Sequence, residues 1–143
     1  MKRLISTLTL AAVVILTSAE AFAGSRVIID QQGGFNGVGA IQQGDSNFIR
    51  LWQKRRHNKA VIQQFGNGNT AVSGQDGTWN DSNSLQNGNG NVSGVAQIGS
   101  NNKARTKQTG NGNVAGTIQV GNGNSSDATQ YGDGNISVVI QGN

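Results

Sequence analysis

The residues best placed to do chemistry in this chain are amides. Gln recurs at Gln31, Gln42, Gln53, Gln64, Gln75, Gln86, Gln97, Gln108, Gln119, Gln130 and Gln141. Five residues after each of the first ten stands an Asn: Asn36, Asn47, Asn58, Asn69, Asn80, Asn91, Asn102, Asn113, Asn124 and Asn135. A primary amide is no nucleophile and does not titrate, but it both donates and accepts hydrogen bonds. Identical amides placed one above another can bond into a ladder, each donating to one neighbour and accepting from the other. Such a ladder satisfies polar groups whose unpaired burial would cost about 1–3 kcal/mol each.

Other chemistries find little support. The acids beyond Glu20 are Asp30, Asp45, Asp76, Asp81, Asp127 and Asp133. They are scattered, and no pair is placed for acid–base or glycosidic work. His57 is the single histidine and Cys is absent, so no disulfide, thiolate site or histidine metal centre is expected. Calcium-binding repeats need Asp where this repeat has Asn. An ice-binding face would need an outward Thr ladder, and Thr70 is the only Thr at the outward positions six and eight residues after Gln. "GNGNVSG" at 88–94 superficially resembles a dinucleotide fingerprint, but no helical pattern follows and the stretch recurs along the chain. No catalytic, cofactor-binding or metal-binding residue is therefore expected. The segment "QKRRHNK" at 53–59 is the local exception. Lys54, Arg55, Arg56 and Lys59 form a candidate contact for an anionic surface, lipopolysaccharide or an acidic partner among them. The competing reading is a solvated turn whose charge discourages premature stacking. Phe35, Phe65, Trp79 and Tyr131 fall at turn positions, as turn cover or as ligand-stacking rings.

An amide ladder needs elements that repeat in register. The Gln-to-Asn spacing recurs over ten consecutive units of eleven residues without insertion or deletion. Gly stands two residues after Gln at Gly33, Gly44, Gly66, Gly77, Gly88, Gly99, Gly110, Gly121 and Gly132, with Arg55 as the one exception. These Gly- and Asn-rich stretches mark tight turns. The seven residues from Asn to the next Gln have a strand's length and composition, and the chain has no Pro to interrupt pairing. Period-two alternation puts Asn, the residues seven and nine after the preceding Gln, and the next Gln on one face. That face carries no charge. The opposite face holds Arg50, Lys59, Asp81, Lys103, Arg105 and Asp127. The first face is therefore the buried one.

One such strand cannot bury its face alone. Two successive strands folded across a turn can, and the next pair then stacks about 4.8 Å away. The expected fold is all-β: a two-sheeted β-solenoid of strand–turn units with 22-residue coils, cross-β on polymerisation and of either hand. The residues seven after each Gln run in like pairs, such as Ala60 with Ala71 and Ser82 with Ser93. This suggests that they pack at one level. Sorting alternate strands predicts one outer face that is largely apolar, ending in Val138 and Ile140, and one that carries most of the charge.

The chain has 143 residues, a formal charge of +4, and 34% apolar residues, too few for an ordinary core. The opening "MKRLISTLTLAAVVILTSAEAFAG" has a basic start, an apolar run from Leu4 to Leu16 and a small–x–small site at Ala21-Phe22-Ala23. It is read as a secretory signal over 1–23, which leaves a repeat domain over 24–143. The weakly basic balance does not require a nucleic-acid partner.

"QTGNGNVAGTIQ" at 108–119 and "QFGNGNTAVSGQ" at 64–75 share the pattern Gln-x-Gly-x-x-Asn-x-Ala-x-x-x-Gln. This resembles the curlin repeat of curli subunits, the bacterial extracellular amyloid, and the resemblance covers about residues 31–141. It implies a secreted, pilus-like structural subunit at the bacterial cell surface, with roles in adhesion and biofilm. It implies as partners further copies, other curlin subunits, the curli outer-membrane secretion pore and its accessory factors, and host or abiotic surfaces. Two alternatives remain at this point. One is a minor subunit that nucleates fibre growth at the outer membrane, which the basic balance and uniform eleven-residue step resemble. The other is a non-polymerising solenoid that binds surfaces.

Overall fold

The computed structural model describes residues 11–16 and 24–143. Twelve strands follow one another, with no helix among the described residues. They are β1 (Ala11–Leu16), β2 (Arg26–Gln32), β3 (Gly37–Gln43), β4 (Phe48–Arg56), β5 (Lys59–Phe65), β6 (Thr70–Thr78), β7 (Asp81–Asn87), β8 (Val92–Ser100), β9 (Lys103–Thr109), β10 (Val114–Asn122), β11 (Ser125–Tyr131) and β12 (Ile136–Gly142). Odd-numbered strands form one sheet in the order β1-β3-β5-β7-β9-β11, and even-numbered strands form the other. All pairings are parallel. From β2 onward partners lie 22 residues apart, as in Gln64 with Gln86 and Gln97 with Gln119. The chain is thus the two-sheeted solenoid that the eleven-residue period predicts.

The first strand of that series was not legible in the Gln-to-Asn spacing, which yields only β3–β12. β2 precedes them because Ser25 stands where the ladder would place Asn. The Ser25 Oγ accepts the Asn47 N–H at 3.2 Å, as an Asn oxygen does elsewhere. Val27 and Ile29 then pack against the buried cluster.

The leader expected over 1–23, with its cleavage site, lies outside the described residues apart from β1. That strand lies along β3, from Ala11 opposite Gly37 to Leu16 opposite Gln42.

Small side chains fill the space between the sheets. Val38, Ala40, Ile49, Leu51, Ala60, Ile62 and Ala71 make a continuous apolar cluster in the N-terminal coils. From Ser73 onward Ser and Thr share the interior with Val95, Ala104, Ala115 and Ala128. Ser73 and Ser82 hydroxyls meet at 2.8 Å, and Ser84 and Ser93 at 3.1 Å. These bonds join the residue nine after one Gln to the residue seven after the next. The like pairs in the sequence therefore do not meet head-on; each packs against the neighbouring strand's other inward position. Among the described residues no charged side chain is buried.

The two turns of each coil differ. Even strands β4, β6, β8 and β10 run nine residues and carry the chain past Gln, whereas odd strands from β3 to β11 run seven. Both turns need positive φ two residues after Gln. At Gly66 a Cβ would run into the Gly88 carbonyl of the next coil, so a side chain is excluded there twice over. Arg55 takes the same conformation, φ 76°, with a side chain that turns outward to Asp76.

Candidate assembly site: amide ladders and open sheet edges

Each ladder Gln from Gln42 to Gln119 spans two directions. Its Nε2 donates along the solenoid axis to the Gln Oε1 of the following coil, at 2.7–3.0 Å in bonds such as Gln53 to Gln75 and Gln86 to Gln108. The second hydrogen goes across the interior to a carbonyl of the opposite sheet, as in Gln75 to Lys59 at 2.8 Å and Gln97 to Asp81 at 3.0 Å. The ladder thus ties coil to coil and sheet to sheet. Gln64, Gln75, Gln86, Gln97, Gln108 and Gln119 show no solvent exposure.

The Asn residues work differently from a simple side-chain ladder. Asn69 Oδ1 accepts the backbone N–H of Asn91 at 3.0 Å, and Asn69 Nδ2 donates to the Gly88 carbonyl at 2.7 Å. The side chain therefore pins a strand start to the turn of the next coil. This pattern repeats from Asn36, which accepts from Asn58, to Asn113, which accepts from Asn135. Side-chain to side-chain amide bonds appear as well from Asn69 onward, as in Asn91 to Asn69.

The ladders have a direction, and it is visible at their ends. Among the described residues, Gln31 Oε1 and Gln42 Oε1 are buried acceptors without a donor. At the other end, Gln130 Nε2 bonds the Val114 carbonyl and Gln141 Nε2 bonds the Ser125 carbonyl, each with no further Gln to receive the second hydrogen. One end presents acceptors and the other donors.

Residues 99–132 match the family model of the curlin-associated repeat. The matched segment contains one full period of this ladder, from Asn102 through Gln108, Asn113 and Gln119 to Asn124 and Gln130. No curated protein matches the chain. The curlin family is a structural, non-enzymatic family of extracellular fibre components.

The basic segment does not converge on one point. Arg55 pairs with Asp76 at 3.0 Å, and Lys54 lies over the Trp52 ring at 5.8 Å from its centroid. Arg56 is exposed beside them, whereas Lys59 opens β5 on the odd sheet, opposite Asp81. A three-residue ridge of Lys54, Arg55 and Arg56 remains at the end of β4. His57, in the turn that follows, is the residue that sequence reasoning passed over. Its ring is stacked between Phe35 and Trp79, at centroid distances of 4.9 and 4.1 Å and within 5° of parallel. The signal was present: 35, 57 and 79 are spaced by one coil. Because stacking uses the ring faces, this column offers mainly edges to a ligand. It serves as cover for three successive turns.

The outer faces divide as the alternation predicts. On the odd sheet Lys103 lies between Asp81 and Ser125, Arg105 approaches Asp127 at 3.6 Å, and Lys107 Nζ donates to the Tyr131 hydroxyl at 3.0 Å. On the even sheet Val72, Val114, Ile118, Ile136, Val138 and Ile140 are exposed. A shallow groove there runs over Gly94 and Gly116 between Val72, Ala96 and Ile118.

Proposed function

We propose that this chain is exported, loses residues 1–23 and polymerises head to tail into extracellular amyloid fibres of the curli type, serving adhesion and biofilm matrix. The direction of the Gln ladder carries this reading. A copy added end to end supplies the donors that Gln31 Oε1 and Gln42 Oε1 lack, and it consumes the free hydrogens of Gln130 and Gln141. The same step pairs open strand edges that carry no Pro to block them. Since the two ends differ and fit each other, addition gives an open filament instead of a closed dimer. Export through an outer-membrane pore with accessory factors, and contact with host or abiotic surfaces, belong to the same proposal.

The test is direct. The processed chain at neutral pH is expected to form thioflavin-positive fibrils with a meridional reflection near about 4.7 Å. A chain that stays monomeric and soluble overturns the proposal.

A further inference from the structure

Among the described residues eleven strands, β2–β12, share the 22-residue register, and eleven is odd. The even sheet has six of them and the odd sheet five. A copy stacked without rotation would place its β2 on β12 and leave the odd sheet one strand short above β11. Gln130 would then have no amide above it, and the incoming Gln42 Oε1, beside which β1 lies in the full chain, would gain no Gln donor.

Resting on the polymerisation proposed above, we infer that successive subunits are related by a half-turn about the fibre axis. β2 of one copy stacks on β11 of the copy below it, and β3 stacks on β12. Strands of the two sheets run in opposite senses, so the half-turn keeps every new pairing parallel. Gln130 then donates to Gln31, and Gln141 to Gln42, which fills both orphan acceptors at once.

The outward side chains favour the same arrangement. With Gln rows aligned, Ile136, Val138 and Ile140 lie beside Gly37, Gly39 and Ile41 of the next copy, apolar against apolar or bare backbone. Asp127 comes one outward position from Arg26. Without rotation, Arg26 and Asp30 would instead lie over Ile136 and Ile140. Residues 11–16 occupy the β3 edge in the full chain, so removal of the leader uncovers the edge that β12 takes. The consequence is a fibre whose two sides each alternate, subunit by subunit, between the charged odd face and the apolar even face.

Two double variants of the full chain test this, exported and assembled by the cell; the protein has no Cys of its own. In Asp30→Cys/Thr129→Cys the half-turn places the two positions opposite each other, about 4.8 Å apart and within disulfide reach. Oxidised fibres dissolved in denaturant are expected to run as a covalent ladder. In Asp30→Cys/Ile140→Cys they are expected to run as monomers. The parent fibre, by electron cryo-microscopy, is expected to show a rise of about 26 Å per subunit with a near half-turn; unrotated stacking gives about 29 Å. A ladder only from the Ile140→Cys pair, or an unrotated 29 Å repeat, overturns the half-turn and leaves polymerisation standing. A parent chain that forms no fibres overturns both.

Discussion

Gln97 Nε2 donates to Gln119 Oε1 across 2.9 Å, with both side chains wholly buried. The same Gln97 accepts from Gln75 at 2.8 Å and donates to the Asp81 carbonyl. Replacing Gln97 by Ala strips three bonds and leaves a buried donor and a buried acceptor unpaired, at about 1–3 kcal/mol for each group. Lys103 is exposed, and its loss is expected to change stability by less than about 0.5 kcal/mol. Denaturant midpoints and seeded growth rates should separate Gln97→Ala from Lys103→Ala clearly. Equal values would refute the inward facing of Gln.

The turn glycines make a graded comparison. A Cβ at Gly88, φ 127°, would collide with the Gly110 carbonyl, whereas Gly34 has no neighbour within 4 Å of a Cβ. Gly88→Ala is expected to destabilise by more than about 1 kcal/mol, through backbone conformation and the broken coil spacing together. Gly34→Ala is expected to be neutral within about 0.5 kcal/mol. Thermal unfolding of both variants checks the order.

The Phe35–His57–Trp79 column can be tested without disturbing the turn. His57 has φ 57°, and Asn101 holds the same conformation one turn beyond Trp79, so His57→Asn keeps the backbone and removes the central ring. Two stacked contacts of about 0.5–1.5 kcal/mol each are lost. The expected signs are a loss of stability of about 1–2 kcal/mol and an altered near-ultraviolet signal from Trp79. An unchanged spectrum would mean that the rings are not stacked in solution.

The apolar even face predicts lateral behaviour. Val72, Val114 and Val138 are exposed on β6, β10 and β12 of the even sheet, and apolar surface of this kind favours association. Changing all three to Lys is expected to leave single filaments intact and to abolish bundling and adhesion to apolar surfaces. Electron micrographs in which the triple variant bundles like the parent would remove this face from the account.

Much of the architecture was legible in the residues because a solenoid turns one-dimensional spacing into three-dimensional register. A Gln every eleven residues can be buried only if the amides stack in register, and because one strand cannot bury its face alone the coil takes two units, so that each Gln meets the one 22 residues on. The charge-free alternation from Val38 and Ala40 to Ser137 and Val139 assigned the inner face for the same reason. What stayed hidden depended on atoms rather than spacing. Ser25 carries a strand start because one hydroxyl oxygen reaches the Asn47 N–H, and no pattern of Gln and Asn reveals that substitution. The role of each Asn as a pin between strand start and turn needed the turn carbonyls in place. The stacking of His57 needed positive φ at three successive turns to aim three rings along one line. The direction of the ladder, acceptors at Gln31 and Gln42 and donors at Gln130 and Gln141, was likewise decided only by folding. An amide is symmetric in what it can offer, and the tertiary structure chooses which group each one turns toward its neighbour.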